Sequence, residues 1–190
     1  MFLKEDGKYD GYCFACDTAV PDPYKDKPEG YKPVSVKKSD EEIQQEINEI
    51  SEYRTVALPD RKLKKEYLEY FGVKVGVSEQ DGVTPVSHYY PYYKNSKLVG
   101  YKARLIESKR MWSVGNIKGC DFFGWEQAVA TGGKKIFITE GELDAVALFQ
   151  IFTETYRGTP YVDFNPAVVS LAHGAGRASR DFSNALKEIR

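Results

Sequence analysis

Three carboxylates, Glu140, Glu142 and Asp144, fall within five positions directly after the apolar run Ile136-Phe137-Ile138-Thr139. The order reads as a buried strand, a turn at Gly141 and a helix. A glutamate at the carboxyl end of a parallel strand lies where open α/β sheets place their ligands, and Gly141 permits the tight turn. Asp144, four residues after Glu140, is expected to face the same crevice. Oxygen ligands gathered in this way suit Mg2+, a hard cation that binds few protein oxygens and keeps waters for substrate phosphates. Acidic residues in a first helical turn are also favoured by the macrodipole and by capping, whatever the function. That second reading is preferred for Glu142, and both stay open for Asp144. Glu140, which precedes the helix and ends the strand, is the candidate for chemistry.

Cys13 and Cys16 form a second constellation. With 3 cysteines in 190 residues the chain has too few for a disulfide-stapled scaffold. The close pair reads instead as half of a metal site in a reducing compartment, so cytoplasm is the expected location. Tetrahedral structural zinc needs four ligands, and Cys120, His88 and His173 are too scattered to complete the set. No apolar run approaches the roughly 18 residues of a membrane span, and no signal-peptide pattern opens the chain, so no membrane partner is expected.

Charge is distributed unevenly. The chain carries 27 basic and 28 acidic side chains, net -1, yet residues 61–118 hold 12 basic against 5 acidic, net +7. Such a block attracts polyanions through a salt-dependent field, although a solvated face that binds nothing has the same composition. Tyr89, Tyr90, Tyr92, Tyr93 and Tyr101 interleave with it. In strands alternate residues face opposite sides, so most of them are expected to pack rather than to stack on bases. Gly174-Ala175-Gly176-Arg177-Ala178-Ser179 is at most a weak anion-binding turn, in which Arg177 and His173 are candidates to touch a phosphate. Thr131-Gly132-Gly133-Lys134-Lys135 precedes a strand and has no Ser or Thr after the lysine, so it is not a P-loop.

The elements that must position these groups follow from period and punctuation. Pro21, Pro23, Pro28 and Pro33 mark an extended tether over 21–38. Ser39-Asp40-Glu41-Glu42 has capping-box spacing, and Ile43, Ile47 and Ile50 predict a helix over 40–52. A second helix is expected from Asp60 to Gly72, carrying Leu63, Tyr67, Leu68 and Phe71. From Val73 the period becomes two, giving an antiparallel meander of Val73–Ser78, Val83–Tyr93 and Leu98–Ile106, in which Pro85 and Pro91 call for an edge or a bulge. An irregular stretch anchored by Trp112 and Trp125 leads to a short helix ending near Ala130. Strand Lys134–Thr139, helix Glu142–Phe152, strand Ala167–Ala172 and helix Ala178–Ile189 then make a βαβα unit. The fold class is α/β, an α+β N-terminal subdomain followed by that partial parallel unit.

The run Gly133-Lys134-Lys135-Ile136-Phe137-Ile138-Thr139-Glu140-Gly141-Glu142-Leu143-Asp144-Ala145, followed by Val168-Val169-Ser170-Leu171-Ala172-His173-Gly174-Ala175, resembles the first half of a Toprim domain. More narrowly, it is similar to the primase–helicase proteins of bacteriophages and their mitochondrial replicative-helicase relatives. Gly11-Tyr12-Cys13-Phe14-Ala15-Cys16 resembles the second half of that family's zinc ribbon, Leu98-Val99-Gly100-Tyr101-Lys102-Ala103-Arg104 its basic strand, and Phe123-Gly124 its aromatic-glycine step. The likeness reaches most of the chain. It divides it into a partial zinc-ribbon remnant (1–20), a linker (21–38), the basic N-terminal subdomain of a primase core (39–131) and half of a Toprim domain (132–190).

The resemblance implies synthesis of short RNA primers from ribonucleoside triphosphates on a single-stranded DNA template, within replication machinery that includes a hexameric helicase. It implies a phage protein in the host cytoplasm. Glu140 would act at the Mg2+ centre, with Asp144, as base or orienter of the attacking hydroxyl. Lys102 and Arg104, on one face of a strand, would contact phosphates, with Lys109 and Arg110 extending that surface. Zn2+ would be held in the intact parent protein by Cys13, Cys16 and a further pair. The family's second acidic motif, Asp-x-Asp, has no counterpart before Arg190, so the chain itself is expected to be an incomplete, inactive fragment. The alternative is a non-catalytic module that binds single-stranded nucleic acid.

Overall fold

A computed structural model describes residues 2–3, 9–13, 18–21, 38–132, 134–173 and 178–185. The chain separates into two units, Met1–Ser39 and Asp40–Arg190. In the first, β1 (Phe2–Leu3), β2 (Tyr9–Cys13) and β3 (Thr18–Pro21) form an antiparallel sheet in that order. Cys13 ends β2, and Pro21, assigned above to the tether, is the last residue of β3. Cys16 and the rest of the proline-rich stretch lie outside the described residues.

The second unit opens with α1 (Asp40–Ser51), where the isoleucine spacing put it, and Ile47 and Ile50 are buried. The single helix expected from Asp60 is corrected to two pieces. Pro59–Arg61 form a 3-10 turn closed by Lys62 in the left-handed region (φ 57), Leu58 and Leu63 pair as an isolated bridge, and α2 spans only Lys65–Tyr70. Leu63 still reaches the core, so its contribution to the apolar spacing imitated helix continuity. Gly72 (φ 68) follows the helix in the left-handed conformation anticipated for it.

Strands β4 (Lys74–Val77), β5 (Pro85–Lys94), β6 (Lys97–Leu105) and β7 (Met111–Gly115) form an antiparallel sheet in chain order. The bulges anticipated from the prolines are present, between Gly76 and Val77, where Val77 pairs with Pro85, and between Tyr92 and Tyr93, just after Pro91. β7 was read as irregular; its short alternation puts Trp112 and Val114 against the α1 cluster of Ile47, Ile50 and Tyr101. Cross-strand pairing of His88 with Arg104, Tyr90 with Lys102, Lys102 with Ser113 and Arg104 with Met111 places all six on the opposite face. Tyr90, Tyr92 and Tyr101 are buried, so packing accounts for them.

That opposite face meets the parallel unit, built from α3 (Trp125–Ala130), β8 (Ile136–Thr139), α4 (Glu142–Tyr156), β9 (Ala167–Ser170) and α5 (Ala178–Ala185). β8 and β9 run parallel, and β9 is buried throughout. Phe123 joins the two sheets. Its N–H donates to the Ser170 carbonyl at 3.1 Å and its carbonyl accepts from the Ser170 N–H at 3.0 Å, while its ring stacks on Phe71 and meets Tyr90 edge-on. One cluster therefore draws Phe71, Tyr90 and Tyr92 together with Leu143, Val146, Phe149 and Val168.

Gly124 makes this junction possible. Its φ is 81, and a Cβ there would stand 2.6 Å from the Phe71 ring and 2.9 Å from the Val168 carbonyl. Gly124→Ala is expected to cost about 2–3 kcal/mol from left-handed strain plus the clash, lowering Tm by roughly 5–10 °C, as calorimetry would read.

Candidate active site

The first turn of α4 begins where β8 ends, and its three carboxylates point to different surroundings. Gly141 is the N-cap in an extended conformation that any residue adopts (φ -120, ψ 150), so the glycine is there for room rather than for the turn. A Cβ at Gly141 would stand 2.7 Å from Asp144 Oδ2, which leans back over it. Thr139 ties the turn down, its hydroxyl lying 3.0 Å from the Gly141 carbonyl and 3.2 Å from that of Val169. Glu140 and Asp144 are exposed, and Glu140 makes no hydrogen bond or ion pair with a described residue.

Glu142 is different in kind. It is 4% exposed, and its Oε1 accepts hydrogen bonds from Tyr92 Oη and Lys102 Nζ, each at 2.7 Å. The same ammonium donates to the Ala172 carbonyl at 3.2 Å, just past the end of β9. One cation from β6 thus touches the chain beyond both parallel strands. An ion pair this enclosed is strongly cooperative, since deleting one partner strands a buried charge at a cost of about 3–5 kcal/mol. Burial, and then the Glu142 carboxylate, raise the Tyr92 phenol well above its ordinary range, so Tyr92 is a permanent donor.

Next along the same face come Tyr90, His88 and Arg104. Tyr90 is raised by burial and by Glu142 and Asp144, with Arg104 and Arg61 pulling the other way. His88 is 5% exposed, with Nδ1 3.4 Å from Tyr90 Oη and Nε2 lacking a hydrogen-bond partner among the described residues. Burial, reinforced by Arg61 and Arg104, lowers its pKa to about 4, leaving it neutral at physiological pH. Towards β7 the face is open: Met111 and Ser113 are exposed, and Lys109 stands in the preceding turn with φ 57.

Of the residues singled out from sequence, Glu140, Asp144, Lys102, Arg104 and His173 belong to elements that meet near this junction. His173 lies one residue beyond the carbonyl that Lys102 holds. Arg177 and Cys16 lie outside the described residues. Among the described residues no three His, Cys, Asp or Glu side chains come together as a metal site, and Cys120 is half-buried. Sequence reasoning missed Tyr92 as a polar participant and took Glu142 for a helix-end charge. Strand parity does place Tyr92 and Lys102 on one face, but no local signal connects that face to Glu142.

A basic antiparallel sheet sealed onto a parallel β-α-β unit, with free carboxylates at the strand end, defines a mixed α/β protein of primase-like fold. The particular likeness is to the crystal structure of the primase fragment of the bacteriophage T7 primase-helicase protein, with a TM-score of 0.55 and 28% sequence identity over 95% of this chain. The chain spans 64% of that structure's length. No protein-family model matches the chain, and no curated protein matches it. No helix among the described residues is long and apolar enough to cross a membrane.

His88 makes stability depend on pH. Because its folded pKa lies below the unfolded value, the unfolded chain binds the extra proton; its contribution is complete above about pH 6.5 and is lost as pH falls towards 4. Urea titrations at pH 7 and pH 4.5 should show wild type losing on the order of 2 kcal/mol more than His88→Gln.

Proposed function

We propose that this chain is part of a DNA primase, a template-directed nucleotidyltransferase that joins ribonucleotides into short primers on single-stranded DNA. The observation that carries this reading is Glu140, an exposed carboxylate free of described polar partners at the carboxyl end of β8, within a primase-like fold. The unit from β8 to β9 is read as the first half of a Toprim domain, which also relates the chain to mitochondrial replicative helicases. By the same reading the full protein carries a hexameric helicase and works within replication machinery.

In this mechanism a primer 3'-hydroxyl attacks the α-phosphate of the incoming ribonucleoside triphosphate in line, and pyrophosphate leaves. Glu140 accepts or orients the hydroxyl proton. Arg104 and Lys109, with His173, hold phosphates of the nucleotide or template, and Arg177 remains a further phosphate candidate from its place in the sequence alone. The donor set fits Mg2+: Glu140 and Asp144 are exposed carboxylates that would supply its oxygen ligands, with Asp144 Oδ2 lying over Gly141, and this cation needs only one or two carboxylates. When bound, it would neutralise charge developing on the attacking and leaving oxygens.

A second reading, a non-catalytic module for single-stranded nucleic acid, is favoured by one observation, the net charge of +7 over residues 61–118. Primer synthesis by the full-length protein separates the two. Glu140→Gln is expected to lower turnover about 10²–10⁴-fold while leaving affinity for single-stranded DNA within about twofold. Unchanged turnover removes Glu140 from the mechanism, and a wild-type protein that binds DNA without making primers selects the second reading. Arg104→Ala should flatten the dependence of log affinity on log salt by about 0.7, the value of one phosphate contact on a single strand.

A further inference from the structure

We propose that Lys102 is a positioning residue rather than a phosphate ligand: it neutralises buried Glu142 and thereby fixes the turn that presents Glu140, leaving Glu142 outside any metal site. The inference rests on the primase reading and deepens it. Lys102 Nζ is committed on two sides, to Glu142 Oε1 at 2.7 Å and to the Ala172 carbonyl at 3.2 Å. Its side chain is 17% exposed and that of Glu142 5%, so both charges are largely withdrawn from solvent. Glu142 Oε1 already accepts from both Lys102 and Tyr92, and a cation brought to it would meet an ammonium at contact distance.

The geometry also explains why the pair bears on Glu140. Glu142 opens α4, and Gly141 joins it to Glu140, so holding the Glu142 carboxylate holds the first turn of the helix. The same ammonium grips the segment after β9 and so ties it to the first turn of α4. Motif spacing alone would assign all three carboxylates to one centre. Burial separates them into two exposed candidates, Glu140 and Asp144, and one internal counter-ion.

The test is a double-mutant cycle in the full-length protein, using primer synthesis, single-stranded DNA binding across a salt series, and thermal unfolding. Lys102→Met is expected to lower kcat at least 100-fold while leaving KM for ribonucleoside triphosphate and the salt slope of DNA binding within twofold. Adding Glu142→Gln removes the stranded charge, and should recover at least tenfold of the lost kcat and most of the lost Tm. Lys102→Arg should retain more activity than Lys102→Met. A rise in KM or a flatter salt slope in Lys102→Met, with no rescue by Glu142→Gln, would make Lys102 a phosphate ligand and overturn the proposal. If Lys102→Met does not fold, recovery of folding in the double variant supports the pairing and its absence refutes it. A wild-type protein that makes no primers defeats the primase reading instead; the unfolding cycle still reports the pair.

Discussion

A single part-buried ammonium group links the two sheets, and the proposed division of the carboxylates depends on it. Lys102 comes from the antiparallel sheet, whereas Glu142 and Ala172 belong to the parallel unit. Desolvating a lysine and a glutamate costs several kcal/mol each, and close, well-aligned contacts are needed to offset that cost. Aromatic packing around Phe123 supplies much of the cohesion but is tolerant of small displacements, because hydrophobic burial has no preferred direction. The ion pair is directional. It converts a packed interface between β6 and the first turn of α4 into one with a defined register.

Three acidic residues in one short motif thereby acquire separate duties. Glu142 turns inward and is neutralised; Glu140 and Asp144 stay in solvent. Gly141 lies between them, and a side chain there would push the Asp144 carboxylate aside from where it leans over the turn. The neighbouring sheet face continues the pattern, with a neutral His88 in the interior and Arg104 beside it, half-buried towards the open β7 edge. The charge of Lys102 is thus spent on Glu142, while Glu140 makes no ion pair with a described residue.

Much of this was readable from residues alone. The change of period at Val73, the turn residues between strands and the apolar run before Glu140 gave the meander and the parallel unit, because each rests on short-range patterning. Two elements were misread for local reasons. Leu63 kept an apolar rhythm across a stretch where Lys62 takes a left-handed conformation, and β7 is too brief, closing on Gly115, to announce itself as a strand. Around the candidate site, the position of Glu140 just after a strand and of Asp144 in the first turn of the following helix was legible. The partnership of Glu142 with Lys102 and Tyr92 was not, since it spans 40 and 50 positions in sequence and exists only once the two sheets close on each other.

The division of the carboxylates can be observed directly. Crystals of the full-length protein soaked with Mn2+ and a ribonucleoside triphosphate, with the ion located by its anomalous signal, would show which oxygens it takes. The account predicts density beside Glu140 and Asp144 with Glu142 still on Lys102 and Tyr92. An ion ligated by Glu142, with Lys102 released to the triphosphate, would contradict it.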